Sequence, residues 1–234
     1  MAGSQVTTQG VQDYWKRIVE ECSREIAELP NNPLRYYKRA QAYKGLGKLE
    51  LALADLTKAI NLKPEDPQAY ILRGGTYRQL RQPDLALQDF STAIQLNPDD
   101  TNAYLLMGNI YKIEGQLEEA VADATKSIEL DPDQPQPYIL RGNAYADLNN
   151  YDGALADFTK TITLDDAYAN AYYFRAMLYH RIRQKETAID DYQRVVELSP
   201  DSQAGKLAQR KLEILTAPEV DEPIDEPFEE NLLA

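Results

Sequence analysis

Residues 67 to 100 have the sequence PQAYILRGGTYRQLRQPDLALQDFSTAIQLNPDD, and residues 135 to 168 follow the same pattern with PQPYILRGNAYADLNNYDGALADFTKTITLDDAY. The two segments are equally long, and their length is a period that runs along most of the chain. One row of prolines keeps it: Pro30, Pro64, Pro98, Pro132 and Pro200, with Asp166 in the place of the missing member. Two rows of tyrosine keep it as well: Tyr36, Tyr70, Tyr104, Tyr138 and Tyr172, then Tyr43, Tyr77, Tyr111, Tyr145 and Tyr179. A fixed period of this length predicts an array of stacked supersecondary units.

Small residues recur in the same register, which predicts two closely packed helices in each unit. One row is Ala40, Gly74, Gly108, Gly142 and Ala176, and a second is Ala52, Ala86, Ala120, Ala154 and Ala188. A third row follows four positions after the second, on the same helical face: Leu56, Phe90, Ala124, Phe158 and Tyr192. The first repeat therefore has predicted helices at 33–46 and 50–62, and each later repeat has them at the same offsets.

These rows resemble the tetratricopeptide repeat (TPR), a helix-turn-helix unit with a large aromatic, a Gly or Ala, a Tyr, then Ala, an aromatic and a closing Pro. The resemblance covers residues 33 to 200. It implies an all-α fold, a right-handed superhelical solenoid of antiparallel helix pairs. The predicted segments are a disordered N-terminus (1–10), an N-terminal helix or half repeat (11–32), five TPR units (33–66, 67–100, 101–134, 135–168 and 169–201), a capping helix (202–217) and an acidic, proline-rich disordered tail (218–234).

Charge and cysteine content restrict the expected partners and compartment. The chain has 38 acidic and 25 basic residues and a formal net charge of −13, which disfavours nucleic acid as a partner. Its single cysteine, Cys22, excludes an intrachain disulfide and fits a reducing compartment. The first ten residues lack the features of a secretory signal, and no run approaches 18 consecutive apolar residues. We expect a cytoplasmic protein without direct membrane insertion. Attachment to a membrane surface through a partner protein is the alternative.

The resemblance implies that the first helix of each repeat lines the groove in which a partner's peptide binds. Three sets of residues on this helix lie outside the packing rows. An apolar strip consists of Tyr37, Ile71, Leu105, Ile139 and Tyr173, an amide row of Gln68, Asn102, Gln136 and Asn170, and a basic rim of Lys44, Arg78 and Lys112. The remaining candidates are Gln41, Asn109, Asn143 and Met177, and Gly75 and Met177 interrupt the amides of this register. Amides suit a peptide backbone because they offer two donors and an acceptor.

Each set also has a purely structural interpretation. Ile71, Leu105 and Ile139 of the apolar strip are also consistent with packing between helices, and the basic rim with a solvated surface. The carboxylate clamp by which some TPR proteins hold chaperone tails is not matched. Tyr37 and Gln41 stand where its first repeat has Lys and Asn, and Leu72 stands where its second has Asn. We therefore do not expect binding of heat-shock chaperone tails.

A further pair of rows predicts ion pairs between the two helices of a repeat. Arginine recurs on the first helices and aspartate sixteen residues later on the second, giving Arg39–Asp55, Arg73–Asp89, Arg141–Asp157 and Arg175–Asp191. Met107 breaks the series before Asp123. As partly exposed pairs, each would contribute about 0 to 1 kcal/mol.

Catalytic chemistry is not expected. Cys22 and His180 are the candidate nucleophile and base, and they lie in different helices far apart in the repeat array. Loop carboxylates such as Asp66 and Asp100 suit helix N-caps. We therefore predict neither an enzyme nor a cofactor or metal site.

The acidic tail suggests a ligand for the groove. It has seven acidic residues and three prolines, with Val220, Ile224, Phe228 and Leu232 at intervals of four. One hypothesis is that the tail occupies its own groove or a neighbour's until a partner displaces it; the alternative is a tail that only improves solubility.

The predicted function is that of a scaffold or assembly factor, which binds an extended peptide or a helix of a partner in the groove. The expected partner is a protein or peptide, with an acidic segment as one option. Two alternatives remain. The first is a structural module that self-associates through its terminal helices, and the second is a co-chaperone or regulatory subunit of a partner enzyme.

Overall fold

The structure, a computed structural model, describes residues 8 to 217, and the predicted acidic tail lies outside them. The described residues form twelve α-helices and no strand. They are α1 (Thr8–Glu28), α2 (Pro33–Gly45), α3 (Leu49–Leu62), α4 (Pro67–Gln79), α5 (Pro83–Leu96), α6 (Thr101–Ile113), α7 (Leu117–Leu130), α8 (Pro135–Asp147), α9 (Tyr151–Leu164), α10 (Ala169–Arg181), α11 (Lys185–Leu198) and α12 (Gln203–Thr216). The predicted all-α architecture of helix pairs is confirmed.

One helix extends further than the sequence predicts. α1 begins at Thr8, within the segment 1–10 for which disorder is expected. The amide of Gln9 donates to the carboxylate of Asp13 one turn later, at 2.9 Å, and this bond supports the first turn.

The chain divides into two compact units, and the division falls inside α6, between Ile110 and Tyr111. In the first unit α2 packs against α1, α3 and α4, and α4 packs against α3 and α5. In the second unit α8 packs against α7 and α9, α10 against α9 and α11, and α12 against α10 and α11.

Local chemistry fixes where the first helices start. The side chains of Asn32 and Asp66 accept hydrogen bonds from the backbone two residues later, each at 3.1 Å, and a proline follows each cap. The carboxylate of Asp100 likewise accepts from the backbone N–H of Ala103 at 3.0 Å. The capping roles predicted for Asp66 and Asp100 are therefore confirmed.

The turn inside each repeat has one backbone conformation throughout. The second residue after each first helix has a positive φ, between 57° and 76°, at Gly47, Arg81, Gly115, Asn149 and Arg183. These positions are one repeat period apart, and the left-handed conformation ends the first helix and redirects the chain into the second. Glycine adopts it without strain at only two of the five turns.

Aromatic rings and alanines fill the cores. In the first unit Phe90 is fully buried beside Gly74, whose missing side chain makes room for the ring. In the second unit Phe158, Tyr173 and Tyr192 are fully buried in one cluster, and small residues of α12 join it. The cores thus use the rows of small and aromatic residues that define the period.

The four predicted arginine–aspartate pairs are confirmed, and each is bidentate. In every pair the arginine Nε and one terminal nitrogen donate to the two carboxylate oxygens at 2.7 or 2.8 Å. Each guanidinium also lies 5.6 to 6.0 Å from the centres of two tyrosine rings. The aspartate side chains are only 5% to 9% exposed, so removal of an arginine alone would leave a buried, unpaired carboxylate, which costs more than breaking an exposed pair.

Two buried glycines should respond differently to alanine. A Cβ on Gly142 would lie 2.7 Å from Cε1 of Phe158, whereas a Cβ on Gly75 would meet only the Nζ of Lys44, at 3.2 Å. Overpacking costs about 2 kcal/mol, and replacing a helical glycine by alanine returns about 1 kcal/mol. We expect Gly142→Ala to lower the free energy of unfolding by about 1 kcal/mol and Gly75→Ala to raise it slightly. Urea denaturation measures both, and equal shifts in one direction would contradict the packing described.

Candidate functional site

The predicted site residues lie on the first helices of the repeats, and we call the surface that they form the first-helix face. In the first unit this face belongs to α2, α4 and the part of α6 up to Ile110. Its exposed members are Gln41, Gln68, Arg78 and Asn102, its half-buried members are Tyr37, Lys44, Leu105 and Asn109, and Ile71 is buried.

An open pocket of about 370 Å³ lies at the start of α2 and α4. Its apolar walls come from Leu34 and Tyr37 of α2, Ala59 of α3 and Ala69 of α4. Leu34 is 51% exposed at its edge. The pocket is large enough for an aliphatic or aromatic side chain, and its walls offer mainly apolar contacts.

The charged rim of this pocket is internally paired. Lys63 and Asp66 line it and form an ion pair at 3.6 Å. Gln68, also at the rim, donates from Nε2 to the Asp100 carboxylate at 3.0 Å. Burial and the charge of Asp66 raise the pKa of Tyr37, which keeps its phenol neutral, and Gln41 donates to the hydroxyl oxygen at 3.4 Å.

A pair of cations lies at the opposite end of the same two helices. Lys44 is in the last turn of α2 and Arg78 in the last turn of α4. The Nζ of Lys44 lies 3.2 Å from the point where Gly75 would carry a Cβ, so the ammonium group rests against α4. Burial, and to a smaller extent the charge of Arg78, lower the pKa of Lys44. Within residues 8 to 217 neither cation forms an ion pair or a hydrogen bond.

Asn109 and Ile71 are engaged within the fold of the first unit, whereas Asn102 is exposed. Asn109 donates from its amide nitrogen to the carbonyl oxygen of Leu105 at 2.7 Å. Ile71 belongs to a core cluster with Phe90 and Ile110, so the packing interpretation is correct for this residue. Asn102 alone of the amide row in this unit is exposed without a hydrogen bond in the described part of the chain.

The candidates of the second unit are more deeply placed. Gln136 is exposed, whereas Ile139, Asn170 and Met177 are half-buried, and Ile139 and Met177 pack on the core. Asn143 is 3% exposed and Tyr173 fully buried. Lys112 pairs with Asp147 at 3.6 Å. Burial lowers the pKa of Lys112 by more than the carboxylate of Asp147 raises it.

The expectation that Tyr173 lines a groove is therefore wrong for this conformation. Its ring packs against Tyr192 at a centroid distance of 5.8 Å, and α12 contributes Ala204 and Ala208 to the same cluster. Alanines on α12 let that helix approach closely enough to bury the tyrosine. Asn143 is likewise too deeply buried to contact a ligand directly.

Sequence comparison matches five family models to consecutive or overlapping parts of the chain. Models described as "Tetratricopeptide repeat" match residues 35–66, 67–100, 90–122 and 139–203, and one described as "TPR repeat" matches residues 108–148. The chain belongs to the tetratricopeptide repeat family. TPR proteins are protein-interaction modules that bind protein or peptide partners and are generally non-catalytic.

Solved TPR structures have the same fold. YrrB, described as a TPR protein with an unusual peptide-binding site, is 21% identical, with a TM-score of 0.65 over 82% of this chain and 99% of its own. PilF of Pseudomonas aeruginosa is 17% identical, with a TM-score of 0.70 over 78% of this chain and 83% of its own. A thermophilic TPR protein of Thermus thermophilus is 20% identical, with a TM-score of 0.62 over 78% of this chain and 100% of its own.

No curated protein matches this TPR chain in sequence. None of the helices between residues 8 and 217 is long and apolar enough to cross a membrane.

Proposed function

We propose that the chain is a scaffold or assembly factor that binds an extended peptide or a helix of a partner protein on its first-helix face. The open pocket beside Tyr37 and Leu34 carries this proposal. It combines apolar walls with exposed polar groups at the rim, which is the composition of sites that take up a side chain of a bound peptide.

Two further observations support a ligand on this face. The amides of Gln41 and Asn102 are exposed and can bond to a peptide backbone. The solved structure of YrrB, a relative in fold, is described as having an unusual peptide-binding site. The alternative of a co-chaperone or regulatory subunit uses the same face and differs only in the protein that is bound.

The test compares two leucines of similar exposure in the first unit. Leu34, at the pocket, is 51% exposed, and Leu51, on the second helix of the same repeat, is 47% exposed. Leu34→Glu and Leu51→Glu add the same charge. We expect Leu34→Glu to reduce partner recovery from source-cell lysate about tenfold, because a charge in an apolar anchor pocket costs at least about 1.4 kcal/mol.

The matched control should recover the same partners as the parent chain. Circular dichroism of both variants checks that they are folded. Equal partner lists for the two variants, quantified by mass spectrometry, would exclude the pocket as the binding site. A change in size with concentration that Leu34→Glu leaves unaltered, seen by sedimentation without any partner, would instead favour the module that self-associates through its terminal helices.

A further inference from the structure

Lys44 and Arg78, which have no ion-pair or hydrogen-bond partner within residues 8 to 217, offer two cations to a carboxylate. Lys44 is half-buried, and its ammonium group lies against α4, where Gly75 leaves room for it. Two neighbouring cations repel each other, and partial burial removes part of their hydration. A carboxylate placed between them would relieve both costs through charge-assisted hydrogen bonds. The chemical class that fits this site is therefore an acidic side chain.

The distance between this site and the pocket restricts the ligand further. Tyr37 and Lys44 are seven residues apart on α2, so they share one face and are about 10.5 Å apart along the helix axis. In a polyproline II conformation, residues i and i+3 lie on the same side and are about 9.3 Å apart. A peptide with an acidic residue and an apolar residue three positions apart would therefore reach both sites at once.

The charges around the pocket set the direction of such a peptide. Asp66 lines the pocket, and Asp100 lies within hydrogen-bonding distance of Gln68 at its rim. Lys63 also lines the pocket and pairs with Asp66, so the two carboxylates leave a net negative charge there, which disfavours an acidic group. Lys44 and Arg78 favour an acidic group at the other end of the face.

The chain contains a sequence with this spacing twice. Residues 221 to 228 read Asp-Glu-Pro-Ile-Asp-Glu-Pro-Phe, with an aspartate three positions before Ile224 and another three before Phe228. Proline restricts φ to a value that is compatible with the polyproline II conformation.

We propose that the tail of a second copy of this chain binds the first unit through one of these Asp-Glu-Pro motifs. The aspartate carboxylate binds between Lys44 and Arg78, the exposed amide of Gln41 faces the backbone, and Ile224 or Phe228 enters the pocket beside Tyr37. The tail then runs antiparallel to α2. This inference rests on the proposed function, since it assigns a ligand to the same face.

The direct test is a binding titration with a labelled synthetic peptide of residues 219 to 230. The protein is the full chain carrying Ile224→Ser and Phe228→Ser, so that its own tail does not compete. Saturable binding, followed by fluorescence anisotropy, is the expected result. Lys44→Glu and Arg78→Glu should each weaken it about tenfold or more, because each removes a charge-assisted hydrogen bond.

Matched controls separate charge from sequence. Lys58→Glu, at an exposed position of α3, changes the net charge equally and should leave the affinity unchanged. A peptide with Asp221→Asn and Asp225→Asn, and another with Ile224→Ser and Phe228→Ser, should both bind more weakly. No binding of the parent peptide, or equal weakening by Lys58→Glu, would overturn the inference.

Sedimentation velocity of the unmodified full chain tests the source of the ligand. We expect a size that increases with protein concentration and that Phe228→Ser and Lys44→Glu each reduce. A full chain that stays monomeric although the peptide binds would overturn the assignment to a second copy. If the peptide fails to bind while Leu34→Glu still loses partners, the tail inference falls and the proposed function remains.

Discussion

Arg141→Met is expected to lower the free energy of unfolding by about 3 kcal/mol, because it leaves the carboxylate of Asp157 buried without its partner. That side chain is 6% exposed and accepts two hydrogen bonds from Arg141. Methionine keeps much of the apolar stem of arginine, so the loss reflects charge and hydrogen bonding more than volume. Urea denaturation at pH 7 gives the difference directly.

A double variant distinguishes desolvation from simple loss of contacts. Arg141→Met combined with Asp157→Leu replaces both partners by apolar groups, so we expect it to recover most of the lost stability. Arg210→Met, at an exposed position of α12, is the control and should change stability by no more than about 0.5 kcal/mol. If the double variant is less stable than Arg141→Met alone, the explanation based on an unpaired carboxylate is wrong.

Asp123→Asn is expected to stabilise the protein at pH 8 by about 2 kcal/mol and to have little effect at pH 4. Burial raises the pKa of Asp123 to about 7, and its Oδ2 has no hydrogen-bond partner in the described chain. Between pH 4 and 7 the folded state retains a proton that the unfolded state has lost, so stability falls as the pH rises through this range. A shift of this size corresponds to about 4 kcal/mol, which partial exposure reduces to about 2 kcal/mol.

Chemical denaturation of parent and variant at several pH values between 4 and 8 measures this effect. The informative quantity is the difference between the two proteins, because other groups also titrate. Asp190→Asn, which removes an exposed carboxylate from α11, controls for the change in net charge. A difference between Asp123→Asn and the parent that stays constant from pH 4 to 8 would show that Asp123 does not titrate in this range.

The fold was predictable because each row of the repeat reports one physical requirement. Gly142 faces Phe158 where two helices touch, and Arg141 meets Asp157 across the same pair of helices. These contacts join residues that occupy fixed places in the period. The row of arginines on the first helices therefore predicts the row of aspartates that pair with them. Because Met107 stands in the place of an arginine, the sequence alone identifies Asp123 as the aspartate without its arginine partner.

The candidate site was less predictable because exposure depends on particular neighbours and not on the period. Tyr37 and Tyr173 occupy equivalent positions on first helices. Tyr37 lines an open pocket, whereas α12 contributes to the cluster that buries Tyr173. The sequence did not predict the role of Gly75 for a similar reason. In the sequence Gly75 only interrupts the amide set, whereas in the structure its missing side chain lets Lys44 lie against α4. Neither outcome follows from a hydrophobic pattern.

The way in which the helices pack bears on how the chain is synthesised. Within each unit, every extensive contact between helices joins neighbours or next neighbours along the chain. The bidentate pairs are equally local, since each joins residues sixteen positions apart. Low contact order of this kind favours rapid folding, and a repeat array can propagate from any nucleus. A repeat can therefore form its ion pair soon after it leaves the ribosome, and its aromatic ring becomes buried when the next repeat packs on it, as Phe174 does on Phe158.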